Sequence, residues 1–135
     1  MYRNVLVPVL FDEGHDPSDA FAVAQLLADD GATITLVHVI EEVPGYAALA
    51  ISGDVLARSF QSADVALTEA AKALPGAETK LLRGHAGPAI LEFARTNDVD
   101  CIVMRSHKPG LENWLIGSTA DRVVRHAKCC VHVIR

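Results

Sequence analysis

Cysteine is scarce in this chain, three in 135 residues. Cys101 stands alone in an apolar run while Cys129 and Cys130 are adjacent, and neighbouring cysteines do not normally bridge each other, so a disulfide framework is excluded. A zinc set needs about four ligands at ordered spacing. His126 and His132 flank the cysteine pair, but a strand sends 130 and 132 to one face and 131 to the other. The three thiols therefore read as small buried hydrophobes. Long apolar runs are missing too: none approaches the ~18 residues that span a bilayer, and the opening Met1-Tyr2-Arg3-Asn4 carries no apolar leader, which sets the expectation of a cytosolic protein. Nor is there a surplus of positive charge. Twelve Lys and Arg against seventeen Asp and Glu leave a net charge of −5, a surface that repels nucleic acid and anionic membrane. Internal repeats, low-complexity tracts and the phosphate loop Gly-x-x-x-x-Gly-Lys-[Ser/Thr] are all absent from the sequence.

Apolar residues, by contrast, make up 50% of the chain, enough for one compact domain spanning residues 1–135 with a sizeable core. Residues 4–10 read as a buried strand with Pro8 near its end, where a missing N–H costs least. Asp16-Pro17 then supplies an N-cap and a first-turn proline, Phe21, Val23, Ala24 and Leu27 form a helical stripe, and Gly31 ends it. Thr33–Ile40 is rich in β-branched residues and reads as a second strand. Leu56, Phe60, Ala63, Leu67, Ala70 and Leu74 alternate spacings of four and three, the pattern of one long amphipathic helix closed by Pro75-Gly76. Strands at 79–83, 100–104 and 130–134 follow, with helices opening at Gly87-Pro88 and near Gly117. Alternating strands and helices need right-handed crossovers, which yield a parallel sheet covered on both faces: a three-layer α/β sandwich.

Chemistry concentrates near the C-terminus. The apolar run Cys101-Ile102-Val103-Met104 turns into Arg105-Ser106-His107-Lys108-Pro109-Gly110, and a helix begins at Gly117-Ser118-Thr119-Ala120-Asp121. A basic loop leading to a small-residue helix start gathers unpaired amides, a positive helix end and two hydroxyls around one point, where a phosphate is attracted. Glycine at 117 admits the phosphate to the backbone, and the amides of 118–120 are first-turn donors. The same tetrapeptide is also an ordinary helix start, because Ser118-x-x-Asp121 satisfies a loose capping box. Lys108 and Arg105 either compensate phosphate charge or belong to a solvated loop, and His107 can donate from either ring nitrogen. His38, on an internal strand, reads as a boundary histidine with its hydrogen bonds met. Gly84-His85-Ala86-Gly87-Pro88 is either plain turn chemistry or a border of a ligand site.

This loop and helix start resemble the nucleotide-binding loop of the universal stress protein family, Gly-x-x-Gly, about nine residues, then Gly-Ser or Gly-Thr. The resemblance covers the whole chain, including Asn4–Val9, Ile34–Val39 and Val124–Ile134. Ser106-His107-Lys108-Pro109-Gly110 is most similar to the bacterial branch with Ser-His-Arg-Pro in the loop. The resemblance implies an adenine nucleotide alpha hydrolase-like fold, with the strand order 3-2-1-4-5. Ligands then bind outside the carboxyl ends of strands 1 and 4, where the chain reverses direction. It further implies adenine against Pro8, Val9, Leu10, Val39 and Met104, and phosphates along Arg105, Ser106, His107, Lys108, Gly110, Gly117, Ser118, Thr119 and Ala120. The chain departs from the family pattern at Arg105 and Lys108, where glycine is common, and at Leu10, where many members carry an aspartate that Asp12 would have to replace.

The function so implied is a stress-response binding module for ATP, ADP or AMP, with or without Mg²⁺. It would assemble as a homodimer through Cys130–Ile134, which is an edge strand in that order. Two other readings stay open on the residues: a slow ATPase or self-phosphorylating enzyme, and a nucleotide-free structural dimer.

Overall fold

The computed structural model describes residues 1–11, 16–42, 45, 53–106 and 116–135. The elements run β1 (Tyr2–Pro8), α1 (Ser18–Leu27), β2 (Ala28–Glu41), α2 (Gly53–Ala71), β3 (Glu78–Gly84), α3 (Ala86–Thr96), β4 (Cys101–Arg105), α4 (Ser118–His126) and β5 (Cys130–Ile134). The strands form one sheet in the order β3-β2-β1-β4-β5, and every pairing is parallel. This is the order that the resemblance implies.

Side-chain alternation along each strand divides the core into two layers. On one face Val5, Val7, Val9, Leu36, Cys101 and Val103 pack with Ala20, Phe21 and Ala24 of α1 and Leu67 of α2. On the other, Leu6, Val37, Ile102 and Met104 pack with Ile90 and Ala94 of α3 and Ala120 and Val123 of α4. β1 is buried on both faces, with Val5, Leu6 and Val7 fully inaccessible, which is why the sequence there is an apolar run rather than an alternation. Each such side chain contributes roughly 1.5–3 kcal/mol through burial.

Several boundaries differ from the sequence expectations. β1 covers Tyr2–Pro8 rather than 4–10. Helix α1 stops at Leu27 instead of reaching Gly31, and Pro17 rather than Asp16 holds the N-cap position. Asp16 still supports the helix start, accepting from the Ser18 amide and hydroxyl, both at 2.9 Å. The chain enters β2 directly at Ala28, and β2 advances from Ala28 to Thr33 while β1 advances only from Tyr2 to Asn4. Gly31, at φ +77, lies inside that irregularity, where the left-handed backbone bends the strand and favours glycine. Glycine therefore marks a strand irregularity here and not a helix stop. Leu74 lies beyond the end of α2 but is buried as fully as Leu67, so the periodic stripe continues through the closing turn.

Candidate nucleotide site

β1 and β4 are neighbours in the sheet, paired at Val5–Cys101 and Leu6–Ile102, while their following helices lie on opposite faces, α1 on one and α4 on the other. Ligands of doubly wound sheets bind outside the carboxyl ends of the strands at such a switch point. β4 leaves the sheet at Arg105, and the chain returns at Gly117, whose amide donates to the carbonyl of Ser106. Ser106 is buried, at 3% exposure, and its own amide donates to the Ile134 carbonyl at 2.8 Å.

Gly117 is the N-cap of α4, with φ −65 and ψ 155. An L-residue adopts this conformation without strain, so the backbone angle does not call for glycine here. The first intrahelical bond runs from Asp121 N to Gly117 O at 2.8 Å, which leaves the amides of Ser118, Thr119 and Ala120 as first-turn donors. The capping-box alternative does not form. It requires Ser118 at the N-cap, but Ser118 is already the first helical residue, and the Asp121 carboxylate is held by Arg125 Nε at 2.9 and 3.0 Å. That contact also raises the pKa of Arg125.

The structure brings some of the expected residues together and separates others. Val39 packs against the layer that holds Met104 and Ala120, so these three share the α3–α4 face. Val9 lies in the opposite layer, with its amide bound to Val37 O at 2.8 Å and its carbonyl 2.8 Å from His38 Nδ1. Both its side chain and its backbone are thus committed. Pro8, the last residue of β1, is half-buried, and Leu10 is exposed. His38 is a satisfied boundary histidine, as expected, and its ring meets that of Phe11 in a tilted contact, centroids 4.6 Å apart and planes at 45°. Ser118 is exposed and Thr119 half-buried. His107, Lys108 and Gly110 lie outside the described residues, as does Asp12.

Arg105 takes a partner that the sequence did not suggest. Its Nη1 donates to Oδ2 of Asp19, in the first turn of α1. No local pattern could reveal this pair, because the residues stand 86 positions apart. The turn from Gly84 to Pro88 is occupied as well: the Ala86 amide donates to Glu41 Oε1 at 3.2 Å, so a carboxylate already sits at the start of α3. A Cβ at Gly87 would come within 2.8 Å of Arg122 Cδ. Glycine there permits the close approach of α3 and α4, as plain turn and packing chemistry requires.

The fold is that of a doubly wound α/β protein, with the N-terminus of α4 at its switch point. The universal stress protein family model matches residues 1–135, and the chain belongs to that family. It is 31% identical over 139 residues to a universal stress protein of Thermus aquaticus, covering 100% of both chains. It is 30% identical over 149 residues to universal stress protein G of Escherichia coli O157:H7, again covering 100% of both. The solved universal stress protein of Lactobacillus plantarum superposes with a TM-score of 0.73 at 26% identity, covering 99% of this chain and 98% of that one. An Archaeoglobus fulgidus universal stress protein in complex with dAMP shares the fold at 20% identity, with a TM-score of 0.64 and coverage of 99% and 98%. A family member from Arabidopsis thaliana with AMP bound does so at 19%, with a TM-score of 0.61 and coverage of 97% and 89%.

Proposed function

We propose that this protein is a single-domain, homodimeric binding module for an adenine nucleotide, ATP or its products ADP and AMP, held at the carboxyl end of β4. The observation that carries the reading is the start of α4. Three successive first-turn amides, at Ser118, Thr119 and Ala120, follow an unstrained N-cap glycine beside the end of β4. Amides and helix dipole together favour an anion there. Val39 and Met104, in the same layer as Ala120, supply apolar surface of the kind a base needs. Relatives of the same fold crystallised with dAMP and AMP support the choice of an adenine nucleotide. Among the described residues no three His, Cys, Asp or Glu side chains cluster as a metal set, so a Mg²⁺ ion would travel with the phosphates. No helix among the described residues is long and apolar enough to cross a membrane, and three free thiols suit a reducing cytosol.

The reading favours binding over turnover. Amides that hold a ground-state phosphate add affinity without selectively stabilising a transition state, and Asp121 is engaged by Arg125. Native mass spectrometry of freshly purified protein reports retained nucleotide and subunit count together. Calorimetry should then give a Kd in the micromolar range, about −8 kcal/mol. Absence of binding to ATP, ADP and AMP would leave the nucleotide-free dimer, and sustained hydrolysis at roughly 1 per second or faster would make the protein an enzyme.

A further inference from the structure

We infer that Arg105 and Asp19 form a positioning clamp for the nucleotide site, in which Arg105 acts through Asp19 and Ser106 and not as a phosphate ligand. The inference rests on the adenine-nucleotide reading above. Alternation along β4 places Arg105 on the same face as Val103, which packs in the α1–α2 layer. Helix α4 lies in the other layer. The guanidinium is thus directed away from the helix start where phosphate is expected, and it meets Asp19 across the sheet end. Both partners are partly shielded, at 29% and 46% side-chain exposure. The carboxylate is itself oriented: Oδ1 accepts from the Ala20 amide at 2.8 Å, leaving Oδ2 for Arg105.

The next residue shows what the clamp acts on. Ser106 donates its amide to Ile134 O and accepts from Gly117 N at its carbonyl, so this one residue links β5 to the N-cap of α4. Arg105, the preceding residue, ties the same stretch of backbone to α1 through Asp19. The end of β4 is therefore held from α1, β5 and α4 at once, and the α4 amides are set in place before any ligand arrives. Such preorganisation improves affinity by reducing what must be ordered on binding. It also accounts for an arginine where the family commonly has glycine, since the side chain is directed to the opposite layer.

The sign of one substitution separates this role from direct phosphate binding. Asp19→Asn removes a negative charge, so if Arg105 were a phosphate ligand restrained by Asp19, the variant would bind AMP more tightly. The clamp requires the opposite: by calorimetry at low salt, AMP binding weakens about threefold to fivefold, the scale of a partly exposed ion pair. Asp19→Glu should recover most of the loss. In an Arg105→Gln background, Asp19→Asn should add nothing further, because the two act as one unit. Tighter binding, unchanged binding, or an equal loss in the Arg105→Gln background would each overturn the clamp. Hydrogen exchange of the Gly117 amide without ligand gives a reading independent of nucleotide: Asp19→Asn should speed it several-fold, and an unchanged rate overturns the clamp. A wild-type protein that binds no adenine nucleotide overturns the binding reading instead, and the exchange rates then decide the clamp alone.

Discussion

The amide of Ser106, one residue beyond β4, donates to the carbonyl of Ile134 at the end of β5, N···O 2.8 Å. Together with the bond from Cys130 N to Asp100 O, 3.3 Å, it sets the sense of the whole edge strand. In a parallel ladder, successive residues point their backbone groups alternately to the two sides. Cys130, His132 and Ile134 therefore face β4, and Val131 and Val133 present their N–H and C=O groups outward.

That geometry sharpens the test of the proposed dimer. Val131→Pro and Val133→Pro each delete an outward donor, which an edge strand tolerates, so both variants should fold and sediment as monomers at micromolar concentration. His132→Pro deletes an inward ladder donor and should cost about 1–3 kcal/mol of stability, because it leaves the facing β4 carbonyl without its partner. A wild type that is monomeric, or proline variants that stay dimeric, would take the interface away from β5.

Stability and ligand affinity should part company at Gly117. The residue is an N-cap in an extended conformation open to any side chain, and aspartate is a better N-cap than glycine by a few tenths of a kcal/mol. Gly117→Asp is therefore expected to keep or slightly raise Tm. It should nevertheless lower ATP affinity by about tenfold or more, because a carboxylate would meet the phosphates beside the amides. Equal affinity for variant and wild type, measured by calorimetry, would move the phosphate site elsewhere.

Alkaline pH should weaken the fold through Tyr2 and Cys101. A side-chain hydrogen bond with Cys130, reinforced by burial, pushes the Tyr2 phenol from 10.0 up to about 12, and burial pushes the Cys101 thiol from 9.0 up to about 11. Both groups are raised on folding, so each contributes stability that is complete below its unfolded value and lost as pH rises through the folded one. The window runs from about pH 9 to pH 12. Urea midpoints should fall across it, and less steeply in Tyr2→Phe combined with Cys101→Ala. Equal slopes in variant and wild type would contradict the assignment.

Much of the architecture was legible in the residues, for reasons particular to each element. β1 carries an apolar run because both of its faces are covered, and only a parallel, doubly covered sheet asks for that. The stripe from Phe60 to Leu74 names the helix face that turns inward, with Leu67 and Leu74 as its buried anchors, while Leu56 at the start of the same stripe is exposed. Gly117-Ser118-Thr119 marked a helix start by its small residues alone. These are properties of short windows, in which side-chain size and spacing act on the backbone directly.

What tertiary structure alone decided were matters of direction and of pairing between distant residues. Gly31 reads the same in sequence whether it ends a helix or bends a strand, and only the shifted register of β2 against β1 distinguishes the two. Val9 and Met104 look equally suited to line a base, but pleating sends them to opposite layers. From its neighbours alone, Arg105 could be read either as compensating phosphate charge or as part of a solvated loop. Its charge is engaged by Asp19, a residue on another element whose proximity arises only when β4 and α1 pack together. An ion pair across 86 residues leaves no periodic trace, because the forces that form it act through space and not along the chain.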